Sequence, residues 1–179
     1  MAFDFFRKKK RGPAIRDLLW MHHTARMNAV LELLRKEPGV IVIAWFERSK
    51  KEWQSFFDRE EIQLTVQLAR QLNAPAIIGK KVYLVEHYPL ASREDEWFAS
   101  MDMKELTVFN ALDDALFMKF GGDGIIEMMR KMGASEAESF SHSMITKAIR
   151  NAQEKLEKKV TNELHANSQD EWFRLNLTE

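Results

Sequence analysis

Seven consecutive residues, Val40-Ile41-Val42-Ile43-Ala44-Trp45-Phe46, are apolar, and four of them are β-branched. A strand with one wet face alternates polar and apolar residues. A run without alternation needs cover on both faces, which is how a strand inside a parallel sheet reads. Parallel neighbours in turn demand crossover connections, most often helices, so this one run asks for an α/β layer fold.

The flanking sequence supplies those helices. Ile15, Leu18, Leu19, Met27, Val30, Leu31 and Leu34 fall at helical spacing and predict a helix over 14–36, stopped by Pro38-Gly39. Ser49 and Glu52 form an S-x-x-E capping box that opens a helix through Trp53, Phe56 and Phe57. A further helix is predicted over 60–72, ending near Asn73 and Pro75. Ala76-Ile77-Ile78 and residues 82–87 read as strands around the turn Gly79-Lys80-Lys81. Ser92 with Asp95 caps a short helix through Trp97 and Phe98. Leu106-Thr107-Val108-Phe109 reads as a strand, and Asn110 with Asp113 caps a helix carrying Leu112, Leu116, Phe117 and Phe120. Strands alternating with helices predict a largely parallel sheet.

Beyond Gly124 the strand pattern stops. Ser135 and Glu138 are expected to cap a long helix whose stripe is Ile145, Ala148, Ile149, Ala152, Leu156, Val160 and Leu164. Such a stripe has to be covered, by the domain itself or by a partner. Ser168 with Glu171 caps a last short helix holding Trp172, Phe173 and Leu175.

At 179 residues the chain fits one ordinary domain with an appendage, and its zero formal net charge offers no global field for nucleic acid or anionic membrane. With no cysteine there is no disulfide, thiolate nucleophile or Cys-type metal site. No signal peptide and no long apolar run are present, so a soluble cytoplasmic protein is expected. One segment is unusual: Phe3, Phe5 and Phe6 precede the basic run Arg7-Lys8-Lys9-Lys10-Arg11. It is either a solvated terminus or a place of contact with an anionic membrane or an acidic partner. Membrane contact is expected through this tail alone.

Few residues suggest chemistry. His22 and His23 are adjacent, so on a helix they point apart and do not chelate. His87, His142 and His165 stand singly, and no metal site is expected. No G-x-S-x-G elbow is present. Asp113-Asp114 and Glu94-Asp95-Glu96 read as caps and solvated faces. Met128, Met129 and Met132 read as core filling or as an adaptable partner groove.

Three words of the sequence carry a family likeness. Met128-Met129-Arg130-Lys131-Met132-Gly133, His142-Ser143-Met144-Ile145-Thr146-Lys147-Ala148-Ile149 and Asn151-Ala152-Gln153-Glu154-Lys155 resemble a junction in the preprotein translocase motor SecA. There the second ATPase half, a RecA-like domain of helicase-C type, ends and the long scaffold helix begins. Asp17-Leu18-Leu19-Trp20, Glu37-Pro38-Gly39-Val40-Ile41-Val42, residues 82–87 and residues 106–120 are similar to earlier elements of that half. The resemblance implies a RecA-like three-layer sandwich with a mostly parallel sheet, followed by a long C-terminal helix. It divides the chain into a tail over 1–13, a degenerate RecA-like domain over 14–124 and a helical extension over 125–179.

The resemblance also says where catalytic residues belong. No G-x-x-x-x-G-K-[ST] phosphate loop is present, and Gly121-Gly122-Asp123-Gly124 lacks the following Lys-Ser or Lys-Thr. The family's arginine motif belongs between His87 and Leu106. There Ser92-Arg93 and Asp95 remain, Ala99 and Met101 stand where paired arginines belong, and Lys104 lies near the last one. Loss of one such arginine costs several orders of magnitude in phosphoryl transfer. The expectation is therefore a module without ATPase activity or cofactor that binds no nucleic acid and acts through protein contacts. The resemblance implies the SecA motor or translocation machinery as partner, and the stripe of Ile145, Ile149, Leu156 and Val160 as the contact. The alternative is a subunit that completes an ATP site in trans, with Arg93 and Lys104, beside Lys80 and Lys81, as phosphate contacts.

Overall fold

The computed structural model describes residues 12–177. The aromatic and basic run over 3–11, on which the membrane expectation rests, lies outside the described residues. Five strands form one parallel sheet in the order β1-β5-β4-β2-β3. They are β1 (Ala14–Trp20), β2 (Val40–Ala44), β3 (Gln67–Leu68), β4 (Lys81–Leu84) and β5 (Glu105–Ala111). β2 occupies an inner position between β4 and β3, as its unbroken apolar run requires.

The predicted helix over 14–36 is in fact a strand and a helix. β1 pairs with β5 from Ala14↔Glu105 to Trp20↔Ala111, and α1 (His23–Lys36) follows. Leu18 and Trp20 face one layer while Ile15 faces the other, the period of two that a strand requires. α1 and α2 (Glu47–Arg59) cover one face of the sheet through Met27, Val30, Leu31, Trp53, Phe56 and Phe57. α4 (Ala91–Met101) covers the other through Trp97, Phe98 and Met101, against Ile41, Ile43, Leu84 and Val108. The result is a three-layer, RecA-like α/β fold.

Two further expectations are corrected. The predicted helix over 60–72 is extended chain leading to β3 and a single 3-10 turn at Ala69–Gln71. Gln54 of α2 holds this segment: its amide donates to the Leu64 carbonyl (3.2 Å) and accepts from the Val66 N–H (2.8 Å). Residues 76–78 do not form a strand. α3 (Ala74–Ile77) starts there, with Pro75 in its first turn and the Asn73 side chain accepting from the Ala76 N–H.

After β5 come α5 (Ala115–Met118) and α6 (Gly122–Lys131). Two glycines shape the turn between them. Gly121 has φ +87°, and a Cβ on Gly122 would sit 2.2 Å from the Leu112 carbonyl oxygen. The long helix begins later than Ser135. α7 spans Ser143–Glu157, and the His142 ring accepts from the Met144 N–H. Residues before it pass along β1, where Leu19 and Phe140 exchange two backbone hydrogen bonds (2.9 and 2.8 Å). α8 (Gln169–Asn176) is capped by Ser168 as predicted, its hydroxyl accepting from the Glu171 N–H at 3.1 Å.

The stripe of α7 is covered by the chain itself. Ile149 and Leu156 are each 2% exposed in a cluster with Phe46, Leu90, Leu116 and Trp172, and Ile145 and Val160 pack against it half-buried. A partner would therefore have to unseat α7 to reach Ile149 and Leu156, while Ile145 and Val160 keep part of their surface exposed. Among the described residues no helix is long and apolar enough to cross a membrane.

Candidate functional site at the carboxyl edge of the sheet

In an open parallel sheet, ligands bind beyond the carboxyl ends of the strands, where neighbouring connections leave toward opposite faces. Here that point lies between β2, which leads into α2 on one face, and β4, which leads into α4 on the other. The chain's own side chains occupy it. Glu86 is buried, and its carboxylate accepts from the N–H groups of Trp45 (3.1 Å) and Phe46 (3.2 Å) and from the Ser49 hydroxyl (2.7 Å). Ser49 therefore serves Glu86 rather than a capping box. The Arg48 N–H, another donor at the start of α2, reaches the Asn167 carbonyl. A helix start is a ready anion site; this one is filled by a carboxylate and a carbonyl. Burial pushes the Glu86 pKa up to about 7, against the Ser49 hydroxyl bond.

A cavity of about 270 Å³ remains beside Glu86, lined mainly by charged and polar groups. Arg26 of α1 forms its floor and is spent on holding strands. Its guanidinium donates to the carbonyls of Val85 and Phe109 (both 3.2 Å) and to Asp114 (2.5 Å), touches His23, and lies 5.7 Å from the Trp53 ring centre. Asp114 also accepts from the Ala111 N–H, and Asp113 accepts from the His23 N–H at the start of α1 (2.8 Å), so the acidic pair ties the end of β5 to α1 rather than capping α5. Asn110, expected as part of that cap, instead lies within β5.

On the opposite face of the sheet is a buried network that sequence reasoning missed. His87, 4% exposed, donates from Nε2 to Asp17 of β1 (2.7 Å) and from Nδ1 to Glu94 of α4 (2.9 Å). Asn110 donates to Asp17 from β5 (2.9 Å), and Thr146 of α7 adds a 2.6 Å bond to its other oxygen. Gln153 of α7 donates to Glu94 (2.9 Å) and to the Tyr88 carbonyl (2.8 Å). Burial alone would depress the His87 pKa, but Glu94 and Asp17 outweigh it and push it up to about 10. Burial would raise Asp17, and His87 more than reverses this, leaving it below the usual carboxylate range. The imidazolium is thus charged and locked, with both ring nitrogens donating. It is a bolt between β1, α4 and α7.

The titration has a definite sign. Stabilisation by His87, whose pKa is raised on folding, is complete below about pH 6.5 and is lost as pH rises toward about 10. Glu86 acts in the same direction between about pH 4.5 and 7, and Asp17 in the opposite one, at acid pH below 3.8. The urea midpoint is therefore expected to fall steadily from pH 6.5 to 10. A flat profile over that range would contradict a charged His87.

The cations named from the sequence do not converge. Arg93 stands at the start of α4 on the carboxyl edge and is engaged: Nε donates to Glu163 at 2.7 Å, and Glu163 also accepts from Tyr88 and Trp172. Lys104 follows the far end of α4, where its carbonyl accepts from the Ala14 N–H on the amino edge. Lys81, pairing with Glu37 at 3.0 Å, and Lys80 lie on that amino edge too. Gln169 of α8 completes the closure, accepting from the Leu116 N–H (2.7 Å) and donating to the His87 carbonyl (2.9 Å). Among the described residues no three His, Asp or Glu side chains form a metal-holding group.

Fold and edge together define an open parallel α/β domain of RecA type whose ligand edge is closed by its own C-terminal helices. The chain resembles a fragment of SecA. It is 47% identical over 49 residues to the protein translocase subunit SecA of Psychrobacter cryohalolentis, which is 27% of this chain and 5% of that protein. With SecA of Chlorobium phaeovibrioides it shares 43% over 56 residues, 31% of the chain and 6% of the relative. With SecA of Buchnera aphidicola it shares 49% over 47 residues, 26% and 5% respectively. The match thus spans about a twentieth of the length of these curated relatives. No family model matches the chain.

Proposed function

We propose that this chain is a non-catalytic, SecA-like binding module that acts in the cytoplasm through protein contacts, in protein translocation. The carrying observation is the filled carboxyl edge. Glu86 takes the donors at the start of α2, Arg26 is spent on β4, β5 and Asp114, and Gln169 ties α8 across the top. Such an edge holds elements together with donors that a nucleotide would otherwise need, which supports a binding role over a catalytic one. A second support is the outward side of α6, where Ile125, Met128 and Met132 are 38%, 54% and 77% exposed although Ile126 is buried beneath them. Exposed methionines next to one another suit an adaptable protein contact.

Purified SecA is expected to be retained by the immobilised chain, while calorimetry with ATP shows no binding by the chain alone. The alternative, a subunit completing an ATP site in trans, requires Arg93 to leave Glu163. It predicts that mixtures with SecA hydrolyse ATP faster and that Arg93→Ala abolishes the gain by orders of magnitude, on the order of 10³-fold. That result would replace the binding-module reading.

A further inference from the structure

We infer that the cleft between α5, the end of α7 and the chain after α8 is a docking site for an acidic, amphipathic segment of another polypeptide: one apolar side chain flanked by carboxylates. This rests on the binding-module reading and names the partner chemistry. The cleft has a volume of about 320 Å³. Its floor is the buried Leu156, its walls include Leu177 and the exposed Phe120, and four lysines line it as well, Lys119, Lys155, Lys158 and Lys159.

Lysines at the end of a helix often answer the helix dipole alone. That accounts for Lys155, Lys158 and Lys159 at the end of α7. It does not account for the apolar floor, nor for the convergence on it of a fourth lysine, Lys119, from the end of a second helix, α5. Nearby carboxylates are committed elsewhere: Glu154 to Arg150, Glu157 to the Ser92 N–H, Glu163 to Arg93. Among the described residues, none of the four lysines has an ion-pair partner in the fold. Four cations without an ion-pair partner among the described residues, set around an apolar pit, suppress the approach of basic segments and favour acidic ones.

The geometry separates this occupant from others. A free phosphate gains nothing from an apolar floor, and the helix end facing it presents carbonyls rather than N–H donors. A membrane surface engages side chains that stand out from a protein, whereas Leu156 is 2% exposed and recessed. One Leu or Phe side chain entering from a partner covers the floor, and carboxylates on either side of it reach the rim.

Fluorescence anisotropy with a labelled dodecapeptide of Glu and Asp around a central Leu-Phe pair tests this on the full chain. Saturable binding is expected, weakened about tenfold by Lys155→Glu/Lys158→Glu/Lys159→Glu and strongly reduced in about 0.5 M salt. Lys119→Glu alone is expected to weaken it severalfold, and these exposed changes should leave the circular dichroism melt in place. An all-acidic peptide without the Leu-Phe pair should bind markedly less. Equal binding by that peptide, no effect of the lysine reversals, or capture by phosphatidylglycerol vesicles but not by peptide would each overturn the assignment. If the peptide fails while purified SecA is still retained, this cleft is wrong and the module reading stands. If both fail, both fall.

Discussion

Replacing His87 by Leu is expected to destabilise the fold by about 3–5 kcal/mol, because it strands two carboxylates that have no access to water. Asp17 is 2% exposed and Glu94 is 2% exposed, and each gives His87 its shortest polar contact on that side. Leu keeps most of the volume, so the loss is electrostatic rather than a cavity. For a chain of this size the melting midpoint should drop by roughly 10 °C, read by calorimetry. The loss should shrink at acid pH, where the orphaned Asp17 carboxylate takes up a proton. The triple variant His87→Leu/Asp17→Asn/Glu94→Gln should regain much of the stability, since removing a buried charge cluster whole is far cheaper than breaking it. A single variant that melts within a degree or two of the parent would show that the bolt carries little weight.

Trp172→Ala is expected to cost a similar amount, about 3–5 kcal/mol, by a different mechanism: loss of a large buried side chain and the void it leaves. Trp172 is fully buried, stacks edge-on to Tyr88 and Phe173, and donates from Nε1 to Glu163 at 2.8 Å. Glu163 is also the partner of Arg93, so the substitution loosens the only one of the four candidate cations that faces the carboxyl edge. Hydrogen exchange should therefore show α8 opening, with amides near Glu86 and Gln169 losing protection before those of β2. Uniform protection changes across β2 and α8 would mean that α8 and the sheet unfold as one.

The sheet's interior was legible because β2 carries its own evidence: no polar residue interrupts it, so its place inside a parallel sheet follows from composition alone. β1 was not. Ile15, Leu18 and Leu19 satisfy helical spacing as well as strand spacing, and Asp17 reads as a surface residue until His87 is known to face it. Propensity and periodicity see neighbours along the chain, while Asp17 and His87 are brought together by the pairing of β1 with β5. Ser49 shows the same limit, since its capping-box spacing is real but Glu86 competes for the hydroxyl and wins. By contrast Ser168 and Glu171 are a wholly local device, and they cap α8 as their spacing says. Of the candidate site, the individual residues were visible but their convergence was not. Arg93 and Lys104, eleven positions apart in sequence, end up at opposite ends of α4.

The pairing of β1 with β5 has a consequence for assembly. The first strand of the described chain has one strand neighbour, and that neighbour is the last strand to be made. Its other edge waits longer still, for Phe140 to pair with Leu19. During synthesis β1 emerges with both edges bare, while β2, β3 and β4 can already associate. Long-range closure of this kind slows folding and leaves an apolar strand exposed to other chains in the meantime. The steps that complete the sheet are thus the same ones that bring in α7.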